Sequence, residues 1–214
     1  MLLILVGLSL LSYLLGSIPT AIWYGDRYHG IDIRQHGSGN AGATNTFRVL
    51  GKKAGSIVLF VDALKGFAAA SLATVLYTFN LVDWQTCVTL KILFGFLAII
   101  GHLLPVFCDF KGGKGVATTL GMVIALHPQA ACVSSLVFLL VFAISHYVSL
   151  GSMVTSLVFP LLLQFEVFGK ELPILIYFGF IISFLVIFTH RKNIGRIISG
   201  TENRMYLIPR KGRL

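Results

Sequence analysis

A glycine-rich segment with two lysines interrupts an otherwise apolar chain. It reads DFKGGKGVATTLG, residues 109–121, and places Gly112 and Gly113 directly before Lys114. Glycine allows backbone N–H groups to converge, and a concavity of this kind at the start of a helix attracts phosphate. Lys114 adds a positive charge beside it. The segment does not fit the GxxxxGK[ST] motif, so by itself it predicts either a phosphate-binding loop or a plain flexible turn.

Three further segments carry residue types suited to anions and to proton transfer. They are RQHGSGNAGATNTFRVLGKKAG (34–55), HYVSLGS (146–152) and HRKNIGRIISGTENR (190–204). Arginine binds phosphate through a planar fork of donors, and imidazole titrates near neutral pH. If these segments meet on one face, they form an anion-binding site. Composition alone leaves open that they are only a solvated basic face that orients the protein in a membrane.

The elements that position these segments are apolar. The 214 residues are 56% hydrophobic and 12% charged, with a mean hydropathy of +0.87, whereas soluble domains are about a quarter charged. We therefore predict one polytopic membrane domain covering residues 1–214. The three cysteines, Cys87, Cys108 and Cys132, form no CxxC pair, so they predict neither a disulfide framework nor a metal site.

The apolar runs predict an all-α integral membrane protein with seven transmembrane helices. A spanning helix needs about 20 apolar residues. The predicted spans are about 2–24, 54–80, 90–107, 116–128, 129–146, 153–168 and 172–189. One helix over 116–145 would run about 45 Å at 1.5 Å per residue, which exceeds an apolar core of about 30 Å. The HPQ sequence at 127–129 therefore predicts a break between two short helices.

The distribution of cations predicts the orientation. With seven spans, the loops 25–53, 108–115 and 147–152 and the tail 190–214 share one side. That side carries five, two, none and seven Lys and Arg residues respectively, 14 of the 17 in the chain. Since cytoplasmic loops are enriched in Lys and Arg, we predict that the N-terminus is outside and the C-terminus cytoplasmic. The polar segments then share the cytoplasmic face.

The amino-acid sequences of the polar segments resemble the motifs of a known family. GSGNAGATNTFR (37–48), GHLLPVFCDFKGGKGVAT (101–118) and HRKNIGRIISGTE (190–202) are similar, in this order, to the three motifs of the acyl-phosphate:glycerol-3-phosphate acyltransferases of the PlsY type. GSIPTA, DALKG and YVSLGS, starting at residues 16, 62 and 147, also match. Departures are Ala41, TF at 46–47 and a tail that does not align beyond about residue 205. The His-x4-Asp pair of the other broad acyltransferase class is absent, because six residues separate His102 from Asp109.

The resemblance implies a reaction and a location. A fatty acyl phosphate would donate its acyl group to the 1-hydroxyl of sn-glycerol 3-phosphate, giving 1-acyl-glycerol-3-phosphate and phosphate, the first step of bacterial phospholipid synthesis. It implies a multi-pass protein of the plasma (inner) membrane of a bacterium, with the active site facing the cytoplasm. We expect no cofactor, no metal, no nucleic-acid partner and a monomer in contact with membrane lipid.

The resemblance also implies roles for individual residues. The residues expected to act in the reaction are His190, Asn193, Ser38, Arg48 and Lys114. Those expected to bind substrate are Gly112, Gly113, Lys114, Arg48, Ser38, Ser152 (or Ser149) and Asn193, with the glycines and Lys114 on the acyl phosphate. The general base is either His190 or a substrate phosphate, whose second pKa is about 6.

Several other polar residues are expected to be structural. Asp62 and Lys65 are a charged pair at i,i+3 spacing inside a predicted span, and we expect them to neutralise each other. His102 and Asp109 are expected to fix the ends of the second motif. Asn40, Thr44 and Asn45 are expected to shape the polar segment 34–55, here called the first loop. Two non-catalytic alternatives remain open, a transporter of phosphate esters and a structural subunit.

Overall fold

The structure, a computed structural model, describes residues 1–206. Arg210, Lys211 and Arg213, counted above among the cations of the tail, lie outside the described residues. Across residues 1–206 the chain folds into nine α-helices and two short 3₁₀ helices with no named strand, so the predicted all-α class is confirmed. The α-helices are α1 Leu2–Ser17, α2 Thr20–His29, α3 Ala43–Thr78, α4 Trp84–Leu103, α5 Val116–Leu126, α6 Pro128–Ser145, α7 Val148–Gln164, α8 Pro173–Thr189 and α9 Arg191–Ile198.

The chain divides into two compact units, Met1–Pro128 and Gln129–Leu214, here called unit 1 and unit 2. In unit 1, α3 packs against α4 and α5, and α1 packs against α4. Glycines make these approaches close: a Cβ atom at Gly66 would overlap the Thr118 carbonyl, and one at Gly16 would overlap Ala98. Small residues at membrane helix interfaces allow such backbone contact.

Unit 2 is built around the pair α7 and α8. Gly179 of α8 packs on Pro160 of α7, where a Cβ atom would lie 2.9 Å from the proline side chain. His190 is both the C-cap residue of α8 and the N-cap residue of α9, and the chain bends by 59° between these two helices. Because His190 belongs to the junction, its position is fixed by both helices.

The helices include several that are long and apolar enough to cross a membrane. Within residues 1–206, three qualify by length and composition, Ala43–Thr78, Trp84–Cys108 and Pro128–Ser145. The number rises to five if the bent pairs α1–α2 and α8–α9 each count as one span, and α5 and α7 are shorter apolar helices. The seven-span count and the orientation stay predictions. The predicted break at HPQ is confirmed, because α5 ends at Leu126 and α6 begins at Pro128, as proline favours a first helical position.

The structure corrects several predicted boundaries. The run 2–24 is not one helix, since α1 ends at Ser17 and α2 starts at Thr20 with a 43° bend. Pro19 has no N–H to continue α1 and disfavours helical geometry at Ile18. The span predicted at 54–80 corresponds to the part of α3 after a kink at Gly51, whose φ is 86°, and an additional helical segment from Ala43 precedes the kink. The segment 147–152 is no loop, because Val148 begins α7.

Candidate functional site

The first loop is shaped by one buried side chain, that of Asn45. Its Nδ2 donates to the carbonyls of Ile33 and His36 at 3.0 and 2.9 Å. Its Oδ1 accepts from the backbone N–H of Ser38 at 2.8 Å and from the Ser38 hydroxyl at 3.1 Å. Gly37 has a φ of 61° and no room for a Cβ atom beside Asn45. The loop-shaping role predicted for Asn45 is confirmed. Because the Ser38 hydroxyl donates its proton to Asn45, its oxygen can act only as an acceptor toward any other group.

Arg48 follows Asn45 by one turn of α3 and is exposed. The helix begins at Ala43 after the N-cap Gly42, and no side chain caps it. The first N–H groups of a helix lack intrahelical partners and carry partial positive charge. Arg48 therefore lies on a helix whose start already favours an anion.

An ion pair lies at the start of the first loop. Arg34 contacts the Asp32 carboxylate through Nε and Nη2, the shortest distance being 2.7 Å. The hydrogen bond from Arg34 holds the pKa of the Asp32 carboxyl below its usual range, against a smaller opposing effect of burial. The Asp32 carboxylate thus neutralises the charge of Arg34, one of the cations of the first loop.

In the glycine loop, residues 112–115, the backbone packs against the end of α4. The N–H of Gly112 donates to the Leu103 carbonyl at 3.1 Å, and that of Gly113 donates to the His102 carbonyl at 3.2 Å. A Cβ atom at Gly112 would overlap the His102 carbonyl, and one at Gly113 would overlap the His102 ring. The glycines are thus needed for close packing, and these two N–H groups are engaged with α4.

Lys114 and Gly115 complete the loop at the start of α5. Gly115 is the N-cap residue in the left-handed conformation, with a φ of 81° and no side-chain cap. Lys114 is half-buried and immediately precedes it. The N–H groups of the first turn of α5 and the Lys114 ammonium are therefore the electropositive atoms of this loop.

The first loop and the glycine loop meet within unit 1. A Cβ atom at Gly113 would lie 2.7 Å from the Ala41 carbonyl oxygen. Cys108 packs on the apolar cluster that contains Ile33 and Ala41. The prediction that these two segments come together is confirmed, and the starts of α3 and α5 follow the contact by only a few residues.

In unit 2, the ring of His190 is buried and oriented. It is 3% exposed, and its Nδ1 lies 2.8 Å from the Val186 carbonyl oxygen. Because a carbonyl only accepts, Nδ1 carries the proton, and the neutral ring presents Nε2 as its basic nitrogen. This tautomer is the one that a general base at Nε2 requires.

Asn193 is held by Glu202. The Asn193 amide Nδ2 donates to Glu202 Oε1 at 2.6 Å, and Ser149 Oγ donates to the same oxygen at 2.8 Å. Arg196 Nε donates to Glu202 Oε2 at 2.6 Å. Burial alone raises the pKa of Glu202, but the hydrogen bonds from Asn193, Ser149 and Arg196 outweigh it, and the pKa lies below its usual value. Glu202 is therefore a carboxylate that orients Asn193.

Ser149 and Ser152 both lie in the first turns of α7 and are buried. The Ser152 hydroxyl donates to the Val148 carbonyl at 2.9 Å, whereas Ser149 donates to Glu202. Ser149, the less favoured of the two serines in the sequence prediction, is therefore linked to Asn193 because both side chains donate to the same Glu202 oxygen. The roles of both serines stay predictions.

Two residues matter more than the sequence indicated. Glu202 contacts Arg196 and also accepts hydrogen bonds from Asn193 and Ser149, a role that the sequence did not indicate. His102 was expected to fix the end of a motif, and it supports Gly113 through both its carbonyl and its ring. In the part of the chain that the structure describes, no three His, Cys, Asp or Glu side chains are grouped to hold a metal ion.

Comparison with known proteins gives consistent similarities over most of the chain. Residues 6–200 match the family model described as glycerol-3-phosphate acyltransferase. Glycerol-3-phosphate acyltransferases of Chlorobium limicola and Salinibacter ruber are 40% and 41% identical, each match covering 94% of this chain and 96% or 92% of the relative. A crystal structure of the integral membrane glycerol 3-phosphate acyltransferase PlsY in its glycerol 3-phosphate form superposes with a TM-score of 0.81 at 40% identity, covering 94% of this chain and 96% of that one. The lysophosphatidic acid form of PlsY gives a TM-score of 0.79.

Proposed function

Because the chain belongs to the glycerol-3-phosphate acyltransferase family, we propose that it transfers a fatty acyl group from acyl phosphate to the 1-hydroxyl of sn-glycerol 3-phosphate. The products are 1-acyl-glycerol-3-phosphate and inorganic phosphate. The similarity to glycerol 3-phosphate and lysophosphatidic acid forms of PlsY supports this acceptor and this product. The donor is the part of the proposal that rests on the motif resemblance.

The observation that carries the proposal is the contact between the glycine loop and the first loop at Gly113 and Ala41. It brings two uncapped helix starts, those of α3 and α5, near Lys114 and within one unit. Helix starts of this kind attract phosphate. A reaction whose substrates are both phosphate esters or anhydrides needs such cationic and dipolar groups, and it needs no covalent enzyme intermediate because phosphate is already a good leaving group.

The donor phosphate is assigned to the glycine loop. Lys114 and the first N–H groups of α5 bind its oxygens, while Gly112 and Gly113 keep the loop close to α4 so that these donors point at one place. The fatty chain needs no polar contact and remains in an apolar environment. Because these hydrogen-bond donors are already in place before the reaction, they can stabilise the negative charge that develops on the leaving phosphate without having to rearrange.

The acceptor and the reacting atoms are assigned to Ser38, Arg48, His190 and Asn193, with Ser152 positioning the donor or the hydroxyl. Arg48 binds the phosphate of glycerol 3-phosphate. The 1-hydroxyl oxygen attacks the acyl carbonyl carbon, the bond from that carbon to the phosphate oxygen breaks, and phosphate leaves. The hydroxyl proton passes either to His190 Nε2 or to a substrate phosphate. The Nδ1–H tautomer of His190 supports the first route.

The direct test uses purified protein in lipid nanodiscs with palmitoyl phosphate and radiolabelled glycerol 3-phosphate. We expect lysophosphatidate, and phosphate release only when the acceptor is present, without added metal or coenzyme A. Arg48→Ala is expected to abolish product, whereas Lys53→Ala, an exposed cation of the same helix, is expected to retain it. Uptake of glycerol 3-phosphate into sealed proteoliposomes without any product would contradict the proposal and favour a transporter.

We further propose seven spans in the inner membrane of a bacterium, with the site facing the cytoplasm and the N-terminus outside. Single cysteines at Lys111 and Lys192, introduced after replacing the native cysteines, should react with an impermeant maleimide in inside-out vesicles. A cysteine at Lys170 should react only in intact cells. Labelling of positions 111 and 192 from opposite sides would contradict a single cytoplasmic site.

A further inference from the structure

A buried polar cluster lies in unit 1 beneath the glycine loop. Asp62 and Lys65 belong to α3 and His102 to the end of α4, and their side chains are 2%, 3% and 7% exposed. Lys65 Nζ lies 2.8 Å from Asp62 Oδ1, and His102 Nδ1 lies 3.7 Å from the same oxygen. The Thr20 hydroxyl donates to that oxygen at 3.0 Å. The three residues Asp62, Lys65 and His102 are called the Asp62 cluster below.

The stability of the fold does not by itself explain why charged side chains are buried in the Asp62 cluster. Ionisable side chains within membrane-spanning helices are costly and mark function by default. A buried ion pair can often be replaced by apolar residues without loss of stability. Asp62 and Lys65 do neutralise each other as the sequence predicted, but this pairing alone does not account for the third member, His102, or for the groups that surround it.

His102 connects the cluster to the glycine loop. Its backbone carbonyl accepts the Gly113 N–H at 3.2 Å. Its ring packs on Gly113 so closely that a Cβ atom there would overlap Nε2, while Nδ1 is the ring nitrogen near Asp62. The imidazole therefore lies between the Asp62 carboxylate and the backbone of the loop.

Lys65 connects the cluster to the break between α1 and α2. Besides its contact with Asp62, Lys65 Nζ donates to the Ile18 carbonyl at 2.8 Å. Thr20, which also contacts Asp62, is the first residue of α2. The Asp62 carboxylate is thus the common point of contact for the α1–α2 break, for α3 and for the end of α4 that carries the loop.

We propose that Asp62, Lys65 and His102 are positioning residues that fix the glycine loop for the donor phosphate. They touch neither substrate; they hold the His102 ring, and the ring and its carbonyl hold Gly113 and so the start of α5. The inference rests on the proposed function, since it takes the glycine loop as the acyl phosphate site. It assigns the cluster to donor affinity and not to the acceptor.

The test compares two variants with a control. Asp62→Asn combined with Lys65→Met removes both charges together, so neither is left uncompensated, and His102→Ala removes the ring. We expect the KM for palmitoyl phosphate to rise about tenfold or more, while the KM for glycerol 3-phosphate stays within about twofold. Lys91→Met removes a lysine of unit 1 that also donates to a helix carbonyl, that of Ala125, and both its KM values should match wild type.

Two further measurements do not depend on turnover. Binding of a palmitoyl phosphonate, in which a methylene group replaces the bridging oxygen, should weaken by the same factor as the donor KM rises. Amide hydrogen exchange at residues 112–115 should be faster in both variants than in wild type or Lys91→Met. Exchange remains informative if wild type forms no lysophosphatidate, a result that would overturn the proposed function and not the positioning role.

Four outcomes overturn the positioning role. Equal rises in both KM values, or a loss of kcat with both KM values unchanged, would show that the cluster does not act on the donor site. Kinetics and exchange indistinguishable from wild type would show that the loop needs no support from it. A double variant that cannot be purified in folded form would show that the pair serves the fold.

Discussion

Replacing Gly112 with alanine tests whether the glycine loop works through close packing on α4. The added Cβ atom would lie 2.9 Å from the Leu103 carbonyl oxygen, 2.7 Å from the Pro105 side chain and closer still to the His102 carbonyl oxygen. Ordinary contact begins at 3.4 Å. The obstacles at Leu103 and His102 are backbone atoms, which cannot rotate away. The Leu103 contact alone requires the loop to move outward by about 0.5 Å (from 2.9 to 3.4 Å), and the closer His102 contact requires a larger movement.

The displacement sets the expected magnitude. It lengthens the hydrogen bond from the Gly112 N–H to the Leu103 carbonyl, which is 3.1 Å in the structure. A hydrogen bond of this type contributes about 1 kcal/mol. It also moves Lys114 and the start of α5, and a misplacement of about 1 Å can cost a hundredfold in rate. Since about 1.4 kcal/mol corresponds to tenfold in affinity, we expect the KM for acyl phosphate to rise about tenfold or more with little change in the KM for the acceptor.

The assay is steady-state kinetics in nanodiscs with each substrate varied at saturation of the other. Gly7→Ala is the matched control, because a Cβ atom at this helical glycine of α1 meets nothing within 4 Å. An unchanged donor KM together with a raised acceptor KM would mean that the two phosphates are assigned to the wrong loops. No change in either KM would refute the steric reasoning itself.

Three further predictions concern stability, pH and the base. Asn45→Ala removes the side-chain partner of the Ile33 and His36 carbonyls and of the Ser38 N–H. At about 1 kcal/mol per bond it should lower the free energy of unfolding by about 2 kcal/mol or more, whereas Gln35→Ala, at an exposed residue, should change this free energy little. The pKa of Glu202 is lower in the folded state than its ordinary value. The carboxylate therefore stabilises the fold fully above pH about 4.3, and this stabilisation is lost as the pH falls through the folded pKa. Glu202→Gln should flatten the dependence of Tm on pH in that acidic range, and an unchanged slope would contradict the assignment. If His190 is the base, His190→Gln should abolish the acidic limb of the kcat profile near neutral pH; a variant that is slower but keeps this limb would favour proton transfer to a substrate phosphate.

The sequence indicates the functional segments well because their chemistry is local. Glycine pairs beside lysine, and serine or histidine beside arginine, are unusual between apolar runs, so they are visible without a structure. The break at Pro128 is predictable for a related reason, since a proline acts on its immediate neighbours. The contact between Ala41 and Gly113 agrees with the prediction that these two segments meet.

The features that the sequence does not reveal depend on contacts between distant residues. Asn193 and Ser149 meet at Glu202, and Ser149 is 53 positions away from that carboxylate. The N–H groups of Gly112 and Gly113 were expected to face a phosphate, but they bond to carbonyls at the end of α4. Which carbonyls a loop meets depends on where a helix stops, and helix ends are poorly determined by hydropathy alone.

The docking of the glycine loop on α4 has a consequence for how the site meets its ligand. The last carbonyls of a helix lack partners within that helix, and here the carbonyls of His102 and Leu103 are satisfied by Gly113 and Gly112. The loop thereby serves as the terminal cap of α4, and its conformational entropy is lost when the chain folds and not when a ligand arrives. Under the proposed function, the donor phosphate would enter a site whose backbone is already ordered, so little binding free energy would be lost in ordering it.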